Sequence, residues 1–173
     1  MRKIVVALLA GFVLVGYVSL FIHVLVNQGI EELLICADRG GLKIPFSKSL
    51  CREYLFAARG TKQDVDVLHQ GVGAAFVTQG ESPVSEREQV LKYLIGKGLD
   101  VNRIDMHQLS PLHGAVLANS AEEVKMLLLN GVNINLKDHQ FELTPLEFAL
   151  KLQSENSLQK DRSEVVFLLE NAK

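Results

Sequence analysis

The chain has 173 residues, of which 48% are hydrophobic, with 18 Lys+Arg against 20 Asp+Glu for a net charge of −2. That length suits one modest domain. The mildly acidic balance, with no basic run anywhere, argues against nucleic acid as a partner.

The N-terminus carries an apolar run. From Ile4 to Val26 there are 23 residues, of which only Gly11, Gly16, Ser19 and His23 fall outside the apolar set. A helix of that length spans the roughly 30 Å of a bilayer's hydrocarbon core. Arg2 and Lys3 precede the run and Glu31 and Glu32 follow it, so the basic bias predicts a cytoplasmic tip at 1–3, a transmembrane signal anchor at 4–26 and everything after it in the periplasm of a bacterial inner membrane. A cleaved signal peptide would need a shorter apolar stretch and an A-x-A-like exit, and neither precedes Asn27. A lipoprotein reading of Leu33-Leu34-Ile35-Cys36 puts a bulky isoleucine before the cysteine, beyond two glutamates. His23 lies within a turn of the outer boundary and reads as a neutral, snorkelling side chain rather than an intramembrane functional group.

Residues 27–48 read as a connector, with turn signals at Gly40-Gly41 and Pro45. A short helix is predicted over 49–59, capped by Ser49 and ended by Gly60, with Leu50, Tyr54, Leu55 and Ala58 at helical spacing. Cys36 and Cys51 are the two cysteines of the chain. In an oxidising periplasm their separation allows one disulfide; two buried free thiols are the alternative. A metal site is disfavoured, because neither a paired C-x-x-C nor a nearby histidine accompanies them.

The second half is periodic. The run Gln89-Val90-Leu91-Lys92-Tyr93-Leu94-Ile95-Gly96-Lys97-Gly98-Leu99-Asp100-Val101-Asn102 recurs as Glu122-Glu123-Val124-Lys125-Met126-Leu127-Leu128-Leu129-Asn130-Gly131-Val132-Asn133-Ile134-Asn135, with Gly98 and Gly131 33 residues apart. Such a period marks stacked supersecondary units, each with an apolar face that only its neighbour covers. Upstream of each leucine run, Val67-Leu68-His69-Gln70-Gly71-Val72 lines up with Pro111-Leu112-His113-Gly114-Ala115-Val116 and with Pro145-Leu146-Glu147-Phe148-Ala149-Leu150. Ser110 and Thr144 before those prolines each supply an N-cap with proline at the first helical position. Glycine after the leucine run closes the second helix. The inserts Gln79 to Ser85 and Ser154 to Lys160 are polar and are placed on the surface.

These units resemble ankyrin repeats, whose pattern runs Thr-Pro-Leu-His, a first helix, a Glu-Val-Val-x-Leu-Leu-Leu helix, Gly-Ala-Asp-Val-Asn and an Asp-bearing turn. The best match has Ser110-Pro111-Leu112-His113, the helix at 122–129, Gly131-Val132-Asn133-Ile134-Asn135 and Asp138. The last unit keeps Thr144-Pro145-Leu146 and Ser163-Glu164-Val165-Val166-Phe167-Leu168-Leu169. Departures are Gln108 in place of the turn glycine, a next hairpin longer by one residue, and inserts in the first and last units. The resemblance implies an all-α ankyrin-repeat solenoid of three to four helix pairs over 49–173, with repeats at about 66–102, 103–135 and 136–172 behind the capping helix 49–59 and the single transmembrane helix. A fourth pair arises if Leu55-Phe56-Ala57-Ala58 with Val65 and Leu68 forms one. It also gives His113 a structural hydrogen bond between neighbouring repeats, with His69 at the same register.

No catalytic, cofactor or metal site is read. His107 and His139 follow aspartates in hairpins of different repeats, without the further ligands that zinc needs. The pairs Glu122–Glu123 and Glu86–Glu88 suit the N-terminal ends of second helices. No phosphate loop, G-x-S-x-G elbow or paired cysteine nucleophile occurs. The expected function is therefore non-catalytic protein binding. By the resemblance, the partner meets the hairpin tips and first helices: Met106, His107, Leu109, Leu117, Ala118, Gln140, Phe141, Leu143 and Lys151. Met106 and Phe141 are read as apolar anchors at exposed tips. The expected partner is a periplasmic effector, which would make the chain a membrane-tethered immunity protein, or an envelope protein held by a scaffold or stress-protection role.

Overall fold

The computed structural model describes residues 2–40, 46–155 and 161–172, with side chains of the first helix described from Gly11 on, Leu14 excepted. The described residues form helices and no strand: α1 Arg2–Asn27, α2 Ile30–Arg39, α3 Ser47–Ala58, α4 Lys62–Gln70, α5 Ala75–Thr78, α6 Val84–Gly96, α7 Pro111–Ala118, α8 Ala121–Leu129, α9 Pro145–Glu155 and α10 Ser163–Glu170. The all-α expectation holds, and the helix pairs are consistent with a repeat solenoid.

Among the described residues no helix is long and apolar enough to cross a membrane. Those of α1 nonetheless leave large apolar side chains uncovered around the helix, including Phe12, Val13, Tyr17, Val18, Leu20 and Ile22. Its last two turns behave differently. Leu25 is buried and Phe21 packs against the first core, so the end of α1 belongs to the folded domain.

The stretch read as a connector contains α2. Ile30, Leu33, Leu34 and Ala37 recur on one buried face, Glu31 and Glu32 sit in the first turn, and Arg39 lies in the last, where each charge suits the helix dipole. The signal was present but short, and the two glutamates after an apolar run were read as a boundary. Cys36 of α2 and Cys51 of α3 form a disulfide with Cα atoms 5.8 Å apart, so the bridged alternative is the one adopted. The helix expected at 49–59 starts at Ser47, behind a left-handed Phe46 (φ 65°), so Ser49 is interior and caps nothing. Gly60, at φ 80°, follows its end as expected. Gly41 and Pro45 lie outside the described residues.

One alignment is overturned. Val67 to Gln70 are the last turn of α4 rather than the start of a repeat's first helix. The cause is local: Thr61 Oγ1 accepts from the Asp64 N–H at 3.2 Å, and Asp64 Oδ2 accepts from the Thr61 N–H at 2.9 Å. This capping box starts a helix five residues earlier than the alignment requires, at Lys62 rather than Val67. The first helix of that unit is the single turn α5, which pairs with α6. His69 consequently does not share His113's register; its Nε2 accepts the Asp100 N–H at 2.9 Å.

The Gln79 to Ser85 insert is only partly a surface segment. Asp38 of α2 accepts the N–H groups of Glu81 and Ser82, each at 2.7 Å, and Ser82 is buried. Of the second insert, Ser154 and Glu155 end α9, and 156–160 lie outside the described residues.

Two apolar cores result. The first gathers Leu25 and residues of α2 to α6, among them Leu33, Leu55, Leu68, Leu91 and Leu94. The second gathers α7 to α10 around Leu112, Val116, Val124, Leu127, Phe148, Val165 and Leu169. α8 joins them: Met126 is buried in the first core and Leu127 in the second.

Candidate functional site

The surface on which a partner was expected is built from two hairpins and the first helices that follow them. Each hairpin is closed by an aspartate. Asp105 accepts the N–H groups of His107 (2.8 Å) and Leu109 (3.0 Å). Asp138 accepts those of Gln140 (2.8 Å), Phe141 (2.6 Å) and Leu143 (3.2 Å). Burial alone would raise the Asp138 carboxyl, but these N–H groups outweigh it and hold it below the usual carboxylate range. Both hairpins turn through a left-handed residue, Gln108 at φ 62° and Glu142 at φ 55°, so the turn is made without glycine. Adjacent turns are tied backbone to backbone: the His139 N–H donates to the Gln108 carbonyl at 3.0 Å.

His113 locks the hairpin to α7. Its ring is fully buried, its Nε2 lies 2.9 Å from the Leu143 carbonyl, and its Nδ1 lies 2.7 Å from Ser110 Oγ. A carbonyl can only accept, so Nε2 carries the proton and Nδ1 receives the serine hydroxyl. Burial lowers the His113 pKa, which keeps this neutral form. The structural bond between neighbouring repeats is thus present. Ser110 also caps α7 by accepting the His113 N–H at 3.3 Å.

The expected docking residues separate into two groups. Met106 is 67% exposed, and His107, Gln140, Leu117, Ala118 and Lys151 are also exposed. They lie on the tips, on α7 and on α9. Leu109 is buried, because the bonded loop that Asp105 closes turns it inward. Leu143 is half-buried against the second core, and its carbonyl is taken by His113. Phe141 is 42% exposed but does not stand free: its ring stacks on the buried Phe148 at 5.6 Å, and Lys151 Nζ lies 4.8 Å above it. Of the two proposed anchors, Met106 projects and Phe141 folds back.

Sequence reasoning passed over Leu150, which is 46% exposed beside Lys151. The alignment equates it with Val116, which is buried because α9 packs on α7. No described pair lies beyond α9 and α10 to cover Leu150. Leu129 (76% exposed) and Phe167 (62%) are further apolar side chains left outside, both on second helices.

The histidines make no metal site among the described residues, where no group of three His, Cys, Asp or Glu side chains converges. Elsewhere the buried charges close helix ends. The Arg87 guanidinium donates to the carbonyls of Thr78 and, at 2.9 Å, Ser82. That of Arg162 donates to the Val116 carbonyl at the end of α7. Such cations complement the C-terminal ends of first helices and hold the stack rather than offer a reactive group.

Residues 94–149 match the family model for ankyrin repeats. No curated protein matches the chain. The match covers the end of α6, both aspartate-closed hairpins and α7 to the start of α9, and it points to a protein–protein interaction module.

Proposed function

We propose that the chain is a non-catalytic protein-binding module whose partner docks across the Met106 tip and the outward side of α7 and α9. The observation that carries this reading is the pair of uncovered apolar side chains Met106, at 67% exposure, and Leu117, at 49%, on a hairpin and a first helix that are rigidly bonded beneath them. Apolar side chains on a preorganised surface are suited to act as anchors, because little ordering entropy is lost on binding. A photo-crosslinking residue placed at Met106 or Leu117 of the full chain should capture a partner protein, and one at Leu129 should not. The pair Met106→Ser with Leu117→Ser should then lower affinity about ten- to several-hundred-fold, at about 1–2 kcal/mol per anchor. Capture from Leu129 alone would move the site to the second helices.

On the same reading, α1 tethers the module to the bacterial inner membrane with the repeats in the periplasm. What supports this is the 23-residue run from Ile4 to Val26, the basic Arg2 and Lys3 before it, and a disulfide suited to an oxidising compartment. Tethering raises the effective concentration at the membrane without any new contact, which suits an immunity protein that neutralises a secreted effector. A reporter active only in the periplasm, fused after Lys173, should be active. Activity of a cytoplasm-only reporter there would overturn the topology. Deletion of the gene should sensitise cells to the effector of a competing strain; unchanged survival would remove the immunity role and leave the binding module.

A further inference from the structure

The end of α1 is not a flexible tether. Leu25 is 8% exposed, Phe21 packs on the first core, and just past α1 the Gln28 carbonyl accepts from Arg59 Nη1 at 2.9 Å, so the end of α1 and the turn after it are held on that core. A single cleft is lined by Phe21, Val24 and Leu25 of α1 together with Glu32, Ile35, Gly40 and Ser47. The cleft therefore brings the disulfide-linked pair α2 and α3 against the last turns of α1, at the outer end of the apolar run.

Three apolar side chains stand uncovered there, beside the exposed carboxylates Glu32 and Glu53. Phe46, next to Ser47, is 80% exposed and held in a left-handed conformation at the start of α3. Leu50, one turn later, is 45% exposed and its N–H donates to the Phe46 carbonyl at 3.0 Å. Ile35 is 48% exposed. The cations on the same pair are already engaged: Lys48 lies 3.0 Å and Arg52 2.7 Å from Glu86, and Arg39 lies 3.4 Å from Glu81. A protein partner would cover one stripe of α1, whereas its exposed residues Phe12, Val13, Tyr17, Val18, Leu20 and Ile22 are distributed around the whole helix axis. Lipid covers every face at once.

We infer that Ile35, Phe46 and Leu50 form an interfacial rim that sinks into the acyl boundary of the bilayer around the exit of α1, so that the disulfide-bonded pair rests in the membrane surface and sets the repeats at a fixed orientation to it. The inference rests on the membrane reading of α1. Apolar side chains at an interface add to a single anchor in the way a second membrane signal does.

The chain has no tryptophan, so a single introduced one reports its own surroundings. Three full-length variants, Tyr17→Trp, Phe46→Trp and Phe167→Trp, would be reconstituted into phosphatidylcholine–phosphatidylglycerol vesicles with and without acyl-chain bromine. Circular dichroism would check that each is folded. The expected result is blue-shifted emission with a large loss to bromine at 17 and at 46, and neither at 167. Quenching at 17 with none at 46 overturns the rim and leaves the anchor. No quenching at 17 or 46 overturns both. Equal quenching at 46 and 167 means that the whole domain lies flat on the lipid, and overturns the rim as a localised contact.

Discussion

The two cores are held together by different means. α7 to α10 repeat a single solution: a hydroxyl cap opens each first helix, an aspartate closes each hairpin, and leucine and valine fill the space between layers. In α2 to α6 the repeat breaks down, with α5 reduced to one turn, and individual clamps take over. These are the Cys36–Cys51 disulfide, the Arg59–Asp64 pair at 2.6 Å, Asp38 on the Glu81 and Ser82 backbone, and the Tyr93 hydroxyl on the Arg59 carbonyl at 2.6 Å. Periodic apolar packing needs a neighbour of matching shape on each side. Where the chain supplies none, covalent and charge-assisted bonds fix the geometry instead. The comparison can be broken by asking whether each half responds only to its own kind of damage.

The largest effect is expected in the regular half. Leu127 is fully buried at the centre of the second core, so Leu127→Asp places an unpaired charge among Leu112, Val124 and Val165. A loss of about 3–5 kcal/mol should follow, unfolding α7 to α10. A melt followed by circular dichroism that matches wild type would show that the helix register is wrong. In the irregular half, replacing both cysteines by serine opens the loop between residues 36 and 51 and should cost about 3 kcal/mol on the loop-entropy account. Hydrogen exchange should show lost protection in α2 and α3 with α8 and α10 unchanged. Equal loss in both halves would mean that Met126 and its neighbours couple the two cores into one cooperative unit.

A smaller effect separates the halves by pH. Burial alone would raise the Asp64 carboxyl, but the Arg59 guanidinium and the Thr61 groups outweigh it and hold it at about 2. A carboxyl depressed in the folded state binds fewer protons than the unfolded chain between that value and the ordinary one near 4, so its contribution is complete above pH 4 and is lost as pH falls toward 2. The expected loss is about 1–2 kcal/mol after allowance for solvent screening. Asp64→Asn should be less stable at pH 7 and should flatten this acid slope. An unchanged slope would place the acid sensitivity in the other depressed carboxyls, Asp38 of the same half or Asp138 of the regular one, and Asp38→Asn then separates the two.

Legibility followed the same division. From Ser110 onward the caps, the buried His113 and the leucine faces were readable, because each is a local pattern repeated at a fixed spacing. Before it, Val67 to Val72 was aligned on spacing alone while the Thr61–Asp64 box was already starting a helix. The face of α2 was legible in Ile30, Leu33, Leu34 and Ala37 but masked by the apolar run before it. Among the docking residues, Met106 and Leu117 were readable as exposed positions. The inward turn of Leu109 and the stacking of Phe141 on Phe148 depend on tertiary contacts, which no periodicity reports.

The smallest expected effect tests why the regular half tolerates hairpins without glycine. Gln108 sits at φ 62°, where a side chain with a Cβ atom pays roughly 1 kcal/mol. Glycine relieves that strain but gives the unfolded chain more freedom, about 0.4–1 kcal/mol in the opposite direction. Gln108→Gly should therefore stabilise by no more than a few tenths of a kcal/mol, leaving the His139 N–H on its carbonyl. Gln108→Val, β-branched and poorly suited to this region, should destabilise by about 1–2 kcal/mol. Calorimetry on the full chain distinguishes the two substitutions. Should Gln108→Gly instead cost as much as Gln108→Val, the glutamine side chain, rather than the backbone angle and the Asp105 bonds, would be what holds the tip.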